Sequence, residues 1–472
     1  MQDSELNGAA FLKECTAGLS EPNGPKSLTV AIERSMKKNR SVTQAVPQWE
    51  SWRDQAHAIK RDAIARLPDL LEEFERKITA RGATVLWARD AAQANQYMLD
   101  IAQEHGVKSV IKAKSMVGEE MELNRVFAEH GIESLESDLG EFLVQLTGKR
   151  PTHIVVPALH LSASDVGHLF AEKLGEKYTD DHAALTAIAR KHLRKKFIHA
   201  DMGISGANFG IAETGSICLI ENEGNIGLSI SVPPVHVAMI GIEKIIPKLA
   251  QLPLFLNMLA RNGTGQKLTS YTHLVHGATP GRKFYVIIID NGRSRVLDDR
   301  TVGGRPLFCM RCGGCMNACP VYRRVGGWAY GWVYPGPIGA VLAPQFLGMK
   351  VAGELPFASS LCGACAEVCP VKIDIPHELV HLRHRAVTEP SPKKSCVEKA
   401  MWQGFAWMST SAWRYRAAMS GLKLGMPAIR LSPYHPWYLG AWTRGRTLPK
   451  VPQTPPEGSF RAWWKKHRAE FE

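Results

Sequence analysis

Cys309-Met310-Arg311-Cys312-Gly313-Gly314-Cys315-Met316-Asn317-Ala318-Cys319-Pro320 spaces four thiols as C-x2-C-x2-C-x3-C-P. That spacing suits one kind of chemistry. Three thiols wrap a compact loop around a cubane iron–sulfur cluster, and the fourth, where a helix can begin, faces a second cluster. Gly313 and Gly314 permit backbone angles closed to other residues, so amide N–H groups can approach the sulfurs. A second run, Cys362-Gly363-Ala364-Cys365-Ala366-Glu367-Val368-Cys369-Pro370, ends the same way but lacks the first cysteine. Aligned on Cys-Pro, that place is held by Ser359. Crossed ligation then predicts Cys309, Cys312, Cys315 and Cys369 on one 4Fe–4S cluster, and Cys319, Cys362 and Cys365 on another.

The fourth ligand of the second cluster stays open at this point. Ser359 as an alkoxide, Cys396 folded back, a water or a partner's group each complete the set, or the iron is lost to leave a three-iron cluster. The favoured reading is a site-differentiated or labile second cluster, whose open iron corner would also be a place for substrate chemistry. Zinc is the alternative metal, but structural zinc wants four ligands in closed tetrahedral pairs. Seven cysteines in two runs ending in Cys-Pro fit that poorly. The remaining three cysteines, Cys15, Cys218 and Cys396, read as small core residues or inert thiols.

The elements that must hold these loops come from the rest of the chain. Residues 1–80 read as a polar helical region with Trp49 and Trp52 as apolar anchors. Residues 81–300 alternate strand and helix. Strands are expected at 83–88, 109–112, 153–157, 217–220, 237–241 and 284–290, with helices at 91–104, 119–130 and 165–174. That rhythm predicts a parallel, helix-covered α/β sheet. Residues 301–390 hold the cysteine runs in a helical domain. Between the runs lies Trp328-Ala329-Tyr330-Gly331-Trp332-Val333-Tyr334-Pro335-Gly336-Pro337, either a shield or docking surface for the clusters or an ordinary aromatic plug. Residues 391–472 are basic and carry seven of the twelve tryptophans, with a Pro-rich linker at 449–456.

No stretch reaches the roughly 18 apolar residues of a membrane span, and the N-terminus lacks the pattern of a secretory signal. Tight Cys-x-x-Cys pairs without such a signal favour metal over disulfides and a reducing compartment, the cytoplasm. The net charge is +13. The tail's Trp-Arg and Trp-Lys pairs read first as a solvated face and second as a docking surface for an acidic redox protein. No nucleic-acid fold motif accompanies the charge, so nucleic acid is not an expected partner.

The paired cysteine runs resemble the helical ferredoxin modules of redox-enzyme subunits. Over nearly its full length the chain resembles the lactate utilization protein B family. The likeness rests on Gly203-Ile204-Ser205-Gly206-Ala207-Asn208-Phe209-Gly210-Ile211-Ala212-Glu213-Thr214-Gly215-Ser216 with Glu221-Asn222-Glu223-Gly224-Asn225. It rests also on Lys112-Ala113-Lys114-Ser115-Met116 with Glu119-Glu120, and on the cysteine pair with its Trp-Val-Tyr-Pro-Gly-Pro insert. The missing cysteine at 359 matches the family pattern too.

The resemblance implies a lactate utilization (LUD) domain similar in fold to the sugar-phosphate isomerase and CoA-transferase class. It implies two 4Fe–4S clusters and electron transfer in the oxidation of L-lactate to pyruvate. The expected partners are the other subunits of that system and electron donor or acceptor proteins. It assigns no catalytic residue here. A subunit for another 2-hydroxy acid such as glycolate, an enzyme acting at an open iron, and a redox-sensing binding module are the competing expectations.

Within the LUD segment, Gly203, Gly206 and Gly210 would suit an anion cradle. Glu213 and Glu221 would suit acid or base work, and Lys112, Lys114 and His236 would suit a carboxylate. Turn glycines and a hydrogen-bonded structural histidine are the simpler explanations. No dinucleotide fingerprint is present.

Overall fold

The structure is a computed structural model and describes residues 8–20, 24–299, 303–389, 396–431 and 460–471. The Pro-rich stretch at 449–456 lies outside them. The chain divides into two compact units, Met1–Pro390 and Ser391–Glu472.

Six parallel strands form the main sheet of the first unit. They are β1 (Thr84–Ala88), β2 (Ser109–Lys112), β3 (Glu133–Glu136), β4 (Met202–Gly206), β7 (Val235–Gly241) and β10 (Lys283–Ile289), in the order β1-β10-β7-β4-β2-β3. The inner strand β10, between β1 and β7, reads as a continuous apolar run because both its faces are buried. Phe284, Val286 and Ile288 join one core with Leu67, Leu70, Leu71, Phe74 and Ile78 of the helix Leu67–Thr79. That spacing puts all five on one helical face. Tyr285, Ile287 and Ile289 join a second core, with Ala94, Met98 and Ile101 of the helix Ala91–Glu104. Asp90 caps that helix by accepting the Gln93 N–H at 2.9 Å.

Three local expectations are corrected. Residues 153–157 are not a strand. Val155 and Val156 give their N–H groups to His153 Nδ1 at 3.0 and 3.1 Å, so a tight turn takes the donors a ladder would need. The strand beside β2 is instead the polar β3. Residues 119–130 are not one helix: Met116–Glu120 and Leu123–Glu129 are separated at Glu122, which is left-handed at φ 51°. The strand expected at 217–220 exists as β6 (Ser216–Glu221) but lies outside the parallel sheet. It pairs antiparallel with β5 (Phe209–Ile211) and β9 (Tyr271–Val275), and β8 (Ile245–Ile246) completes this second sheet in the order β8-β5-β6-β9.

The cysteine runs share their core with the start of the chain. Leu28, Ile32 and Ala56 belong to the same buried cluster as Cys319, Cys365, Cys369, Tyr330 and Tyr334, with Phe11, Met36, Trp49 and Trp52 packed on it. Phe11 meets Tyr330 edge-on at 5.6 Å.

The second unit holds the helices Cys396–Ser409, Ala412–Leu431 and Phe460–His467. Trp402, Trp407 and Trp413 are exposed, and Arg414 lies 4.4 Å over the Trp407 ring. Phe460, Trp463, Trp464 and Phe471 stack on one another. Among the described residues, no helix is long and apolar enough to cross a membrane.

Candidate iron–sulfur centre

The two cysteine loops fold back on each other so that Cys309, Cys312, Cys315 and Cys369 line one cavity. Its other walls are mostly apolar, among them Met310, Ile338, Val371, Ile373 and Ile375, with Arg311 also on the lining. Cys319, Cys362 and Cys365 face one another in a second group, and each of Cys319 and Cys365 feels the Cys362 charge. Cys315 feels both Cys309 and Cys365, so the two groups adjoin. Cys362 is exposed at the edge of the second group, whereas Cys312 and Cys369 are buried in the first. Among the described residues, no three His, Cys, Asp or Glu side chains converge as a single-ion site.

The chemistry of the surroundings fits an electron-rich cluster. Burial pushes the Cys369 thiol up to about 12 and the Cys365 thiol up to about 11. Such thiols keep their protons unless a cation takes the thiolate. Donors are already aimed at the sulfurs. Arg311 N–H reaches Cys309 at 3.4 Å, Ile373 N–H reaches Cys369 at 3.3 Å, and Tyr322 N–H reaches Cys319 at 3.5 Å. The buried Tyr330 hydroxyl also faces Cys319. The aromatic insert is therefore largely core: Tyr330 and Tyr334 are almost fully buried.

Several neighbours were not foreseen from the sequence. Asn262, at the end of the helix Leu252–Gly263, donates to the Cys312 sulfur at 3.2 Å and is itself held by Asn39. A Cβ on Gly314 would stand 2.2 Å from the Asn262 amide, and one on Gly313 would stand 2.9 Å from His153. The paired glycines thus let two LUD-segment side chains touch the loop. His153 Nδ1 accepts two N–H groups, so its proton sits on Nε2, which donates to Asn317 at 3.2 Å. Burial pushes His153 down to about 3, so it stays neutral.

Beside Cys309 lies a buried charge network. Arg293 binds Glu120 at 2.7 Å and Glu243 at 2.5 Å, and Arg311 lies 3.4 Å from Glu243 and 4.5 Å over the Tyr334 ring. Lys60 donates to the Glu243 carbonyl at 2.6 Å, and Lys244 is buried alongside. Four cations thus face two carboxylates next to a thiolate cluster site. Burial, then the Lys244 charge, pulls Lys60 down to about 7.

The LUD-segment candidates do not assemble into a carboxylate site. Lys112 is spent on Glu119 at 3.0 Å and Glu136 at 2.7 Å. Burial alone would discharge it, but those carboxylates hold it protonated. Lys114 faces Glu141 at 3.7 Å. His236 bonds Ser205 at 2.8 Å and stacks on Phe284, with burial pushing it down to about 3. Glu213 is exposed and caps Leu249 N–H. Glu221 is buried, but it is occupied by His273 and by the N–H groups of Ile226 and Gly227.

The glycines serve packing. A Cβ would lie 1.8 Å from the Ser229 carbonyl at Gly203, 2.3 Å from Ser115 at Gly206 and 2.5 Å from Ile245 at Gly210. Of the three isolated cysteines, Cys15 and Cys218 are buried.

Comparison with known proteins accords with this arrangement. Residues 71–297 match the LUD domain, 307–373 the 4Fe-4S dicluster domain and 377–469 the "Lactate utilisation protein B, C-terminal" model. Lactate utilization protein B of Bacillus pumilus is 37% identical, covering 99% of this chain and 99% of that one. The chain belongs to the lactate utilization protein B family. Further members are similarly near: that of Shouchella clausii at 37% identity (99% and 98% covered) and that of Oceanobacillus iheyensis at 38% (98% and 97%). A DUF162 family protein from Deinococcus radiodurans aligns with 47% of this chain and 98% of its own at 13% identity, with a TM-score of 0.27. That likeness is too weak to bear on the fold. The dicluster match at 307–373 gives the class of cofactor, and the four cysteines that line the cavity fall within it.

Proposed function

We propose that this chain is the iron–sulfur electron-transfer subunit of a complex that oxidises L-lactate to pyruvate. The observation that carries the reading is the gathering of seven cysteines into two adjoining groups, four of them around one apolar cavity, in a member of this family. In this reading Cys309, Cys312, Cys315 and Cys369 hold one 4Fe–4S cluster, and Cys319, Cys362 and Cys365 hold a second. Bound clusters supply one-electron transfer. Converting lactate to pyruvate releases two electrons and two protons, so two one-electron centres suit the task. The protein's own part is to bury the sulfurs, which opposes added negative charge, and to aim N–H groups at them and set positive charge beside Cys309, which favour the reduced state.

Residues 81–300 serve as the LUD domain, 301–390 as the cluster domain and 391–472 as the basic tail. The other subunits of the lactate system and an electron-accepting protein are the partners, and the cytoplasm is the compartment.

Anaerobic purification with iron and sulfide analysis tests the cofactors: about eight irons per chain are expected. Adding L-lactate together with the partner subunits should then reduce the clusters, read as an EPR signal. A response to glycolate and not lactate would reassign the substrate. Colourless protein that takes up only zinc would sink the reading.

A further inference from the structure

Ser359 stands where the second cysteine run lacks its first thiol, and the two runs fold alike around that place. Arg311 and Leu361, each just before the second cysteine position, are both left-handed, at φ 62° and 55°. Gly313 and Gly363 follow at φ 80° and 87°. A short helix then starts at Gly314 in one run and at Ala364 in the other. A left-handed leucine is a strained choice with no glycine to relieve it. The second loop therefore keeps the cluster-binding shape although the thiol is gone.

The hydrogen bond that marks the ligand position is kept as well. Arg311 N–H donates to Cys309 Sγ at 3.4 Å, and Leu361 N–H donates to Ser359 Oγ at 3.1 Å. Relative to its own loop, the Ser359 oxygen sits where the Cys309 sulfur sits. Arg383 secures the segment, donating to the carbonyls of Ser359 and Pro356, each at 2.9 Å. Its positive charge beside Ser359 favours an anionic oxygen there.

We propose that Ser359 Oγ is the fourth protein ligand of the second cluster. This rests on the iron–sulfur reading above. On binding, an iron–oxygen bond forms, a water leaves that iron, and the hydroxyl proton passes to solvent. No electron moves. Ser359 is half-buried and Cys362 exposed, so solvent is at hand to take the proton. Oxygen is a harder donor than thiolate, which makes this iron distinct from its three neighbours and the most readily exchanged.

The test compares the parent, Ser359→Ala and Ser359→Cys, all loaded anaerobically with iron and sulfide. The readouts are iron content, Mössbauer and EPR spectra and the midpoint potential of the second cluster. The signal of the first cluster serves as the internal control for folding. The parent is expected to hold a complete second cluster with one distinct iron. Ser359→Ala should lose one iron per chain and gain a three-iron signal. Ser359→Cys should keep the iron, lose the distinct site and shift the midpoint.

A Ser359→Ala protein that matches the parent in iron content, spectrum and midpoint overturns the assignment, as does a parent whose second cluster has only three irons. Should Ser359→Ala load no cluster at all, Ser359→Cys decides, because an unchanged spectrum and midpoint there also overturns it. An iron-free parent would instead remove the electron-transfer reading, so the two failures are distinguishable.

Discussion

At the scale of single residues, side chains remote in sequence complete the centre. Asn262 is fifty positions from the cysteine it serves, and its amide has two fixed partners, Cys312 and Asn39. A hydrogen bond to sulfur stabilises the extra electron of a reduced cluster. Asn262→Leu keeps the branched outline, with somewhat larger end groups, and removes the donor. The midpoint potential of the first cluster should fall, by about 1 kcal/mol or roughly 40 mV for one electron. EPR-monitored redox titration checks this, and an unchanged midpoint would show that the amide is merely packed there. Gly313 and Gly314 were legible as loop glycines, but not the side chains that come to rest on them. Spacing reports the local loop and says nothing of what packs above it.

Among elements, the junction of β7 and its following turn with the helix Arg293–Asp298 and the first cysteine loop is bound by buried charge. Glu243 is the centre of that network. Burial alone would raise its carboxyl, but Arg293, Arg311 and Lys244 hold it down at about 2. Its folded value lies below the ordinary 4.5, so the stability it contributes is full above that value and lost as pH falls towards 2. Glu243→Gln keeps the shape and leaves the cations unpaired. That should cost about 3–5 kcal/mol at neutral pH, read as a lower urea midpoint. The gap between variant and parent should narrow as the pH drops below the carboxylate range. A gap that stays constant through that range would argue that packing, not charge, is what the substitution disturbs. Neither Glu243 nor Arg293 stood out in the sequence, because a buried ion pair has no spacing signature.

On the scale of the whole first unit, the N-terminal helices and the cysteine loops share one core. Phe11, Leu28, Ile32 and Met36 pack with the residues around the cysteine loops, and the full burial of Leu28 and of Ile32 is worth about 1.5–3 kcal/mol each. The β10 strand and its two faces draw on other residues. A chain lacking residues 1–47 should therefore keep the circular dichroism of the α/β sheet while its iron content falls well below the parent's. Full iron loading in the truncated chain would show that the cysteine loops close without that cover.

The sequence alone determined the iron–sulfur class of cofactor and the parallel α/β sheet. Each of these is written in short-range spacing: thiols two and three residues apart, and apolar runs of strand length. Only the tertiary structure decided that the region before residue 80 is wall to the cysteine loops, and that residues 153–157 turn at His153. It likewise decided that the LUD-segment glycines exist for close packing. It also set the Leu361 N–H on Ser359 in the same manner as the Arg311 N–H on Cys309. The N-terminal wall and the glycine contacts join segments tens to hundreds of residues apart, whereas the His153 and Ser359 bonds span two or three residues and are set by backbone angles. Burial in a common core creates the distant contacts, and no local pattern of residue types encodes which partners will meet there.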